Sequence, residues 1–268
     1  MDPIEKEITQ LWWNIYGSCF TGTKLTKKNA LFMSTGNRIP SGSIFTLKKN
    51  IFSNIIDKSL VFSYSTLRKM EGFPELKNAS LSATPSCISK LQYANNTALD
   101  IYGKLLDGTG IGKINAELQT ILKKSKALEI NISQWGQDLI EEGILELFLE
   151  EQLAGQNAMI KKVTDGNHYI ATEGIWVKGM SFTYQLDKES ITKIEAIYEQ
   201  NKQQFIEFGI TLNIASSTSL TTSFKYSESF YPFLKFRKIE KNGNIKGMVK
   251  IVEGKAIILS DLDIQEEL

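Results

Sequence analysis

Histidine occurs once in these 268 residues and cysteine twice. The single His168 leaves a Ser-His-Asp or Cys-His mechanism one candidate base. Cys19 and Cys87 stand too far apart in sequence to form a spaced zinc-ligand set. A lone histidine in "DGNHY" reads as a loop or packed residue. No apolar run approaches the ~20 residues that a membrane-spanning helix needs. The opening "MDPIEKEITQ" is acidic and lacks an apolar stretch followed by a small-residue cleavage site. No secretory signal is read there, and the expected location is the cytoplasm. Carboxylate pairs exist, Glu141/Glu142 and Glu150/Glu151, but on what reads as a solvated helix face, and no nucleophile–base pair stands out. The expectation is a protein with no catalytic residue, no metal and no cofactor. Nucleic acid is not an expected partner, because the aromatics of the basic half are not interleaved with its lysines as a stacking platform requires.

What is present is a charge asymmetry hidden by a net charge of +1. Residues 1–128 hold 17 Lys or Arg against 9 Asp or Glu, and residues 129–268 hold 14 against 21. A basic half and an acidic half suit self-association, or a basic surface meeting an anionic partner, although drift in surface composition gives the same counts. Lys24, Lys27, Lys28, Lys48 and Lys49 cluster near the N-terminal β-like pieces and form a candidate membrane-facing basic set.

"DPIEKEITQLWWNIYG" reads as a capped helix, with Asp2 as N-cap, Pro3 in the first turn and Ile4, Ile8, Leu11/Trp12 and Ile15 as an apolar stripe. Short strand-like pieces follow: "ALFMS", "GSIFTLKK", "SLVFSYS", then the weaker "SLSATPSCISKL". "NTALDIYGKLL" reads as a short helix at 97–106. "KINAELQTI" alternates, with Ile114, Ala116 and Leu118 opposite Asn115, Glu117 and Gln119, and is expected to be a strand. "ALEINIS" alternates in the same way, and "QWGQDLIEEGILELFLEEQL" is expected to be a helix. "HYIATEGIWVKGMSFTYQL" is β-rich, and "DKESITKIEAIYEQNKQQ" is an amphipathic helix on Ile191, Ile194 and Ile197/Tyr198. "FIEFGITLNIA" alternates from Ile206 to Ile214, "SLTTSFKYS" follows it, and Asn242-Gly243 marks a hairpin. The middle of the chain thus holds two strand–helix–strand units, and the expected class is α+β.

Between the first short helix and its strand lies "LLDGTGIGKINAEL", where Gly108, Gly110 and Gly112 run into Lys113. A phosphate-binding P-loop requires a glycine five residues before Gly112 and a hydroxyl after Lys113, and the chain has Asp107 and Ile114 there. The dinucleotide fingerprint requires strand, loop and helix in that order, and here the order is reversed. The three glycines read instead as a conformationally permissive joint beside a segment that changes shape.

The block "NTALDIYGKLLDGTGIGKINAELQTILKKSKALEINISQWGQDLIEEG" resembles the corresponding region of bacterial gasdermins. There a short helix meets a glycine-rich link, an alternating strand, a basic turn, and a further strand and helix start. "GMSFTYQLDKESITKIEAIYEQ", "FIEFGITLNI" and "FKYSESFYPFLKFRKIEKNGNIKG" look like that family's second unit and closing strands, so that the resemblance covers residues 79–252. It implies a gasdermin N-terminal-domain-like twisted, mostly antiparallel sheet with surrounding helices, which refolds to a transmembrane β-barrel on activation. It further implies a pore-forming domain over 1–245 and a short C-terminal autoinhibitory tail over 246–268.

The implied function is a latent pore-former active in antiphage cell death. Release of the tail, through an activating protease, allows homo-oligomerisation on membrane lipids, moving the protein from cytoplasm to inner membrane. Residues 80–121 and 168–214 are the expected refolding regions, with Gly108, Gly110 and Gly112 as hinge. Cleavage is expected among Asn242, Gly243, Asn244, Lys246, Gly247, Lys250, Glu253, Gly254 and Lys255, because an exposed loop tip is readily cut. The lipidated cysteine that bacterial members often carry near the N-terminus has no counterpart in the first residues. Cys19 is either a displaced equivalent or a buried thiol. The competing reading is a non-enzymatic soluble α+β interaction protein whose alternating strands are ordinary sheet strands.

If the glycines form the joint, replacing Gly108, Gly110 and Gly112 together by valine leaves the protein foldable and abolishes dye release from anionic liposomes. Undiminished release would make the loop a plain connector.

Overall fold

The computed structural model describes residues 12–17, 19, 20, 23, 25, 29–33, 37–49, 56–81, 88–92, 116–122, 124, 125, 127–207, 209–252 and 255–259. Two long strands form its spine: β7 (His168–Gln185) and β9 (Ser219–Ile239). They pair antiparallel from Gln185↔Ser219 to Tyr169↔Lys238. β7 is dense in β-branched and aromatic residues, which suit a pleated surface covered on both sides.

Shorter strands extend the two outer edges of this spine. β6 (Ala127–Leu139) lies along β7, and β4 (Lys77–Leu81) and β5 (Ile88–Gln92) take successive stretches of the far edge of β6. β2 (Ile44–Lys49) pairs with β7 at 168–170, and β3 (Ile56–Phe62) pairs with β2. On β9, β8 (Ile210–Ser216) covers 219–224, β1 (Leu31–Phe32) covers 233–234, and β10 (Ile245–Val252) covers 237–239. β11 (Lys255–Leu259) closes that side on β10. Among the described residues every ladder is antiparallel. This is the α+β class, with a mostly antiparallel sheet and surrounding helices, that the sequence led us to expect.

The helices are α1 (Tyr64–Leu67), α2 (Ala116–Leu122), α3 (Glu142–Ala154), α4 (Ala158–Val163), α5 (Lys188–Gln200) and α6 (Lys202–Glu207), beside helical residues at 12–17. Three apolar clusters hold them to the sheet. The largest joins Trp12, Trp13 and Phe20 to Trp135, Val177, Phe182 and Phe233, and takes in the buried faces of α2 and α5. A second sets Leu145, Phe148 and Leu149 of α3 and Ile160 of α4 against Ile44, Ile170, Ile239 and Ile245. Successive strand residues point to opposite faces, so Tyr169 and Ala171 flank Ile170 and enter a third cluster with Phe45, Leu234 and Phe236.

Three expected elements differ. Residues 116–122 are helical, not extended: Leu118, Ile121 and Leu122 are buried while Ala116, Glu117 and Thr120 are exposed. Their i, i+3, i+4 spacing was present under the alternation, and the apolar cluster rewards the helical phase. "QWGQDL" belongs to β6, paired through Leu139↔Glu173, and the helix starts only at Glu142. The edge of β7 supplies those residues with hydrogen-bond partners that outweigh local helical preference. Phe205–Glu207 lie in α6, and β8 begins at Ile210 after a turn at Gly209. Of the expected helix at 2–17, residues 12–17 are helical and 2–11 lie outside the described residues, as does the expected helix at 97–106.

Gly174 faces Leu234 across the spine. A Cβ there would lie 2.6 Å from the Leu234 Cδ2 and 2.6 Å from the Ser41 Oγ. We expect Gly174→Val to lower unfolding free energy by about 1–3 kcal/mol through overpacking. Gly143→Ala, with nothing within 4 Å of the added carbon, should not destabilise. Urea unfolding of both variants checks this.

Candidate functional site: the strand–helix–strand units and the C-terminal hairpin

In the second unit, β7 leaves the sheet at Gln185, passes through α5 and α6, and returns as β8. Asp187 caps α5 by accepting a hydrogen bond from the Ser190 N–H at 2.8 Å, which holds its carboxyl below the usual range. Ile191, Ile194 and Ile197 form the buried stripe. β8 does not return beside β7. The first part of β9 lies between them, pairing on one side through Thr183↔Thr221 and on the other through Asn213↔Thr221. Along β8, Ile210 is buried, Leu212 and Ile214 are half-buried, and Thr211 and Asn213 are exposed, so the period-two pattern is real from residue 210 onward.

In the first unit β5 and β6 pair with each other, and α2 precedes β6. α2 and α5 bury their apolar faces in one cluster, so the helical excursions of both units occupy the same side of the sheet.

The C-terminal hairpin joins β9 to β10 through Glu240–Asn244. The Glu240 N–H donates to the Asn244 carbonyl at 2.9 Å, and the Gly243 N–H donates to the Glu240 carbonyl at 3.0 Å. Lys241 and Asn242 are exposed, whereas Gly243 is buried against α3 with φ +90°. The Ile245 N–H donates to Glu146 Oε1 at 2.7 Å, tying the start of β10 to α3. The expected domain boundary at 245/246 therefore falls inside β10, at the edge of the sheet. Lys246 is exposed and Gly247 buried. Lys250 lies in β10 and Lys255 in β11, while Glu253 and Gly254 are outside the described residues. A cleft of about 450 Å³ adjoins the turn, lined by Asp165, Gly166, Lys238, Glu240, Lys241 and Asn242.

Of the other expected site residues, Gly108, Gly110, Gly112, Lys24, Lys27 and Lys28 lie outside the described residues. Lys48 and Lys49 occupy the end of β2, opposite Asp57 and Ile56 of β3. Cys19 has 0% exposure and is disulfide-bonded. Lipidation of its sulfur therefore requires reduction and exposure. His168 is packed at the start of β7, its Nδ1 2.8 Å from Asp165 Oδ1. The Asn167 N–H, foremost, and His168 hold the Asp165 carboxyl below the usual range. Among the described residues no group of three or more His, Cys, Asp or Glu is arranged to hold a metal.

One polar constellation carried no sequence signal. Asp138 of β6 is 2% exposed, and it accepts hydrogen bonds from Asn78 Nδ2 of β4 at 2.6 Å and the Tyr231 hydroxyl of β9 at 2.7 Å. Burial pushes its carboxyl up, against the lowering effect of these donors, and burial beside Asp138 pushes the Tyr231 phenol up. A carboxyl raised in the fold favours the folded state most below its unfolded value, and that contribution is lost as pH rises through the folded value.

The geometry defines a class, an antiparallel α+β protein with two helix-bearing strand units on one sheet. No protein-family model and no curated protein matches the chain. Among solved structures it is similar to a bacterial gasdermin from Bradyrhizobium tropiciagri, at 13% identity and a TM-score of 0.45, over 84% of this chain and 83% of that one. A likeness of that size assigns neither family nor function. Among the described residues no helix is long and apolar enough to cross a membrane.

At Gly243 a left-handed φ costs an L-residue about 1–2 kcal/mol, and Gly243→Ala is expected to lose at least that much stability. An added Cβ would also sit 3.1 Å from Leu153 Cδ1. Chemical denaturation measures the loss, and an unchanged midpoint would show that the turn relaxes freely.

Proposed function

We propose that this chain is a latent, non-enzymatic pore-forming protein of the gasdermin kind, with membrane lipids and further copies of itself as partners. The observation that carries the reading is the pair of strand–helix–strand units on one continuous antiparallel sheet, their helices packed side by side. A transmembrane β-strand needs about 9–11 residues. β6, β7 and β9 have 13, 18 and 21. The block resemblance over residues 79–252 supports the same reading.

Refolding would convert the helical excursions into strand. In water α5 stays helical because burying each isoleucine of its stripe is worth about 1.5–3 kcal/mol. Extended, residues 193–199 place Ile194, Ala196 and Tyr198 on one face and Lys193, Glu195 and Glu199 on the other, with Ile197 the one misfit. That is the lipid-facing and lumen-facing division of a barrel strand, so a membrane returns the apolar burial that unwinding gives up. The helical state of residues 116–122 means the first unit also has a helix to unwind.

The restraint is the C-terminal segment. β10 covers the end of β9 and β11 lies along β10, Glu146 binds the start of β10, and no Lys or Arg follows Lys255. Removing this segment, by a protease acting near the Lys241–Asn242 turn, would uncover the sheet edge and take away acidic residues. The protein would then leave the cytoplasm for the inner membrane, where the basic set meets anionic headgroups at about 1 kcal/mol per residue. Permeabilisation there would kill the cell, as in antiphage defence.

The experiment compares the full chain with chains ending at Asn244 and at Leu259, mixed with dye-loaded anionic liposomes. The shorter chain is expected to release dye and the full chain to retain it. If no truncation within 241–260 and no protease digest releases dye, while circular dichroism shows a folded protein, the pore reading fails.

A further inference from the structure

Helix α3 is apolar on two opposite sides. Leu145, Phe148 and Leu149 bury one side in the core. The side turned away consists of Gly143, Ile144, Leu147, Glu150, Glu151 and Ala154, all exposed, and at about 3.6 residues per turn Leu147 stands at its centre. A surface helix ordinarily carries polar residues there. Leu147 is instead 61% exposed and Ile144 45%. Single apolar residues at a surface are ordinary, whereas two on adjoining turns form a patch. From these features we infer that this face docks a second copy of the chain, α3 against α3 and antiparallel, about a two-fold axis at Leu147.

The two ends of α3 differ in charge. At the N-terminal end Glu141 pairs with Lys77 at 2.5 Å and Glu142 with Arg237 at 3.2 Å. Those carboxylates are matched by cations, and the helix dipole adds a partial positive charge there. At the C-terminal end the last turn holds no basic residue, and Glu150 and Glu151 are exposed. Neither of these two carboxylates forms an ion pair or hydrogen bond among the described residues. No Lys or Arg occurs in sequence from residue 127 to residue 160. Two carboxylates at the negative end of the dipole weaken an isolated helix, so this end is short of positive charge.

An antiparallel pair supplies it. With Leu147 against its counterpart, Glu150 and Glu151 of one copy lie opposite the Gly143–Ile144 end of the other. Each acidic end then meets the positive N-terminal end of the second helix, and the leucines and isoleucines leave water together. Gly143 and Ala154 bear so little side chain that the two helices can approach closely. A parallel pair would set the acidic ends side by side, and like charges so placed repel. The antiparallel contact uses the same patch on both copies, so it closes at two. α3 has 13 residues and is about 20 Å long. One such face is smaller than the roughly 800 Å² per partner of a standard interface, which makes the dimer weak and reversible.

The contact does not rest on the pore reading, and its test needs no membrane. Sedimentation velocity follows the full chain over a concentration series from micromolar to millimolar, at low and at high salt. Wild type is compared with Leu147→Glu, with Glu150→Gln/Glu151→Gln, and with Ile206→Glu, whose isoleucine on α6 is 59% exposed. We expect wild type to form a dimer and nothing larger, and Leu147→Glu to weaken that dimer about tenfold or more. The glutamine pair should weaken it in part and lose most of its salt dependence, while Ile206→Glu stays near wild type. In a second measurement, Leu147→Cys is expected to cross-link to its counterpart under copper phenanthroline oxidation, and Ile206→Cys is not. The cross-link decides the matter even where Leu147→Glu disturbs folding. A chain that stays monomeric throughout, species that grow beyond the dimer, equal effects at 147 and 206, or no cross-link at 147 would each overturn the contact, whatever the liposome-leakage result.

Discussion

The antiparallel ladder between β7 and β9 is the constraint on which the rest of the molecule depends. It runs from Gln185↔Ser219 to Tyr169↔Lys238, and every strand except β3, β4, β5 and β11 pairs directly with one of its members. Its register shifts near Ala171/Glu173, Ile175/Val177 and Val177/Gly179. A bulge adds a residue on one strand, bends it and changes which face the following side chains reach. Through these shifts the two strands serve two different cores: Ile170 and Ile239 pack with α3 and α4, and Phe182 and Leu220 pack with α2 and α5. The ladder also sets the geometry of the edges. Short strands attach at different heights, leaving β8 and β10 along the same side of β9.

Polar groups buried at the spine reinforce this arrangement. Asp138 takes donors from β4 and β9 at once, and Lys235 of β9 meets Glu173 of β7 at 2.5 Å with both side chains largely buried. Buried polar groups of this kind do little for net stability but penalise any alternative register, which would leave them unpaired.

Much of this was legible in the sequence. The Asn242-Gly243 hairpin, α5 with its isoleucine stripe, and the strands at 128–133 and 210–214 all appear where local chemistry placed them. Each depends on residues within a few positions of one another. The misread segments share a different property. Residues 116–122 satisfy both a two-residue and a helical period over so short a run that periodicity cannot choose, and burial of Leu118 and Leu122 made the choice. "QWGQDL" is strand because β7 stands beside it.

The sequence by itself determined the α+β class, the buried stripe of α5, the turn at Asn242-Gly243, the charge asymmetry, and the resemblance that frames the proposed function. The structural ones follow from side-chain period and turn chemistry, both local. The tertiary structure alone decided that the start of the expected tail is a sheet strand, and that Asp138 meets Asn78 and Tyr231 across 60 and 93 positions. The physical reason is that strand pairing satisfies backbone donors and acceptors through partners distant in the chain, so the neighbours of a side chain are fixed only once the edges have met.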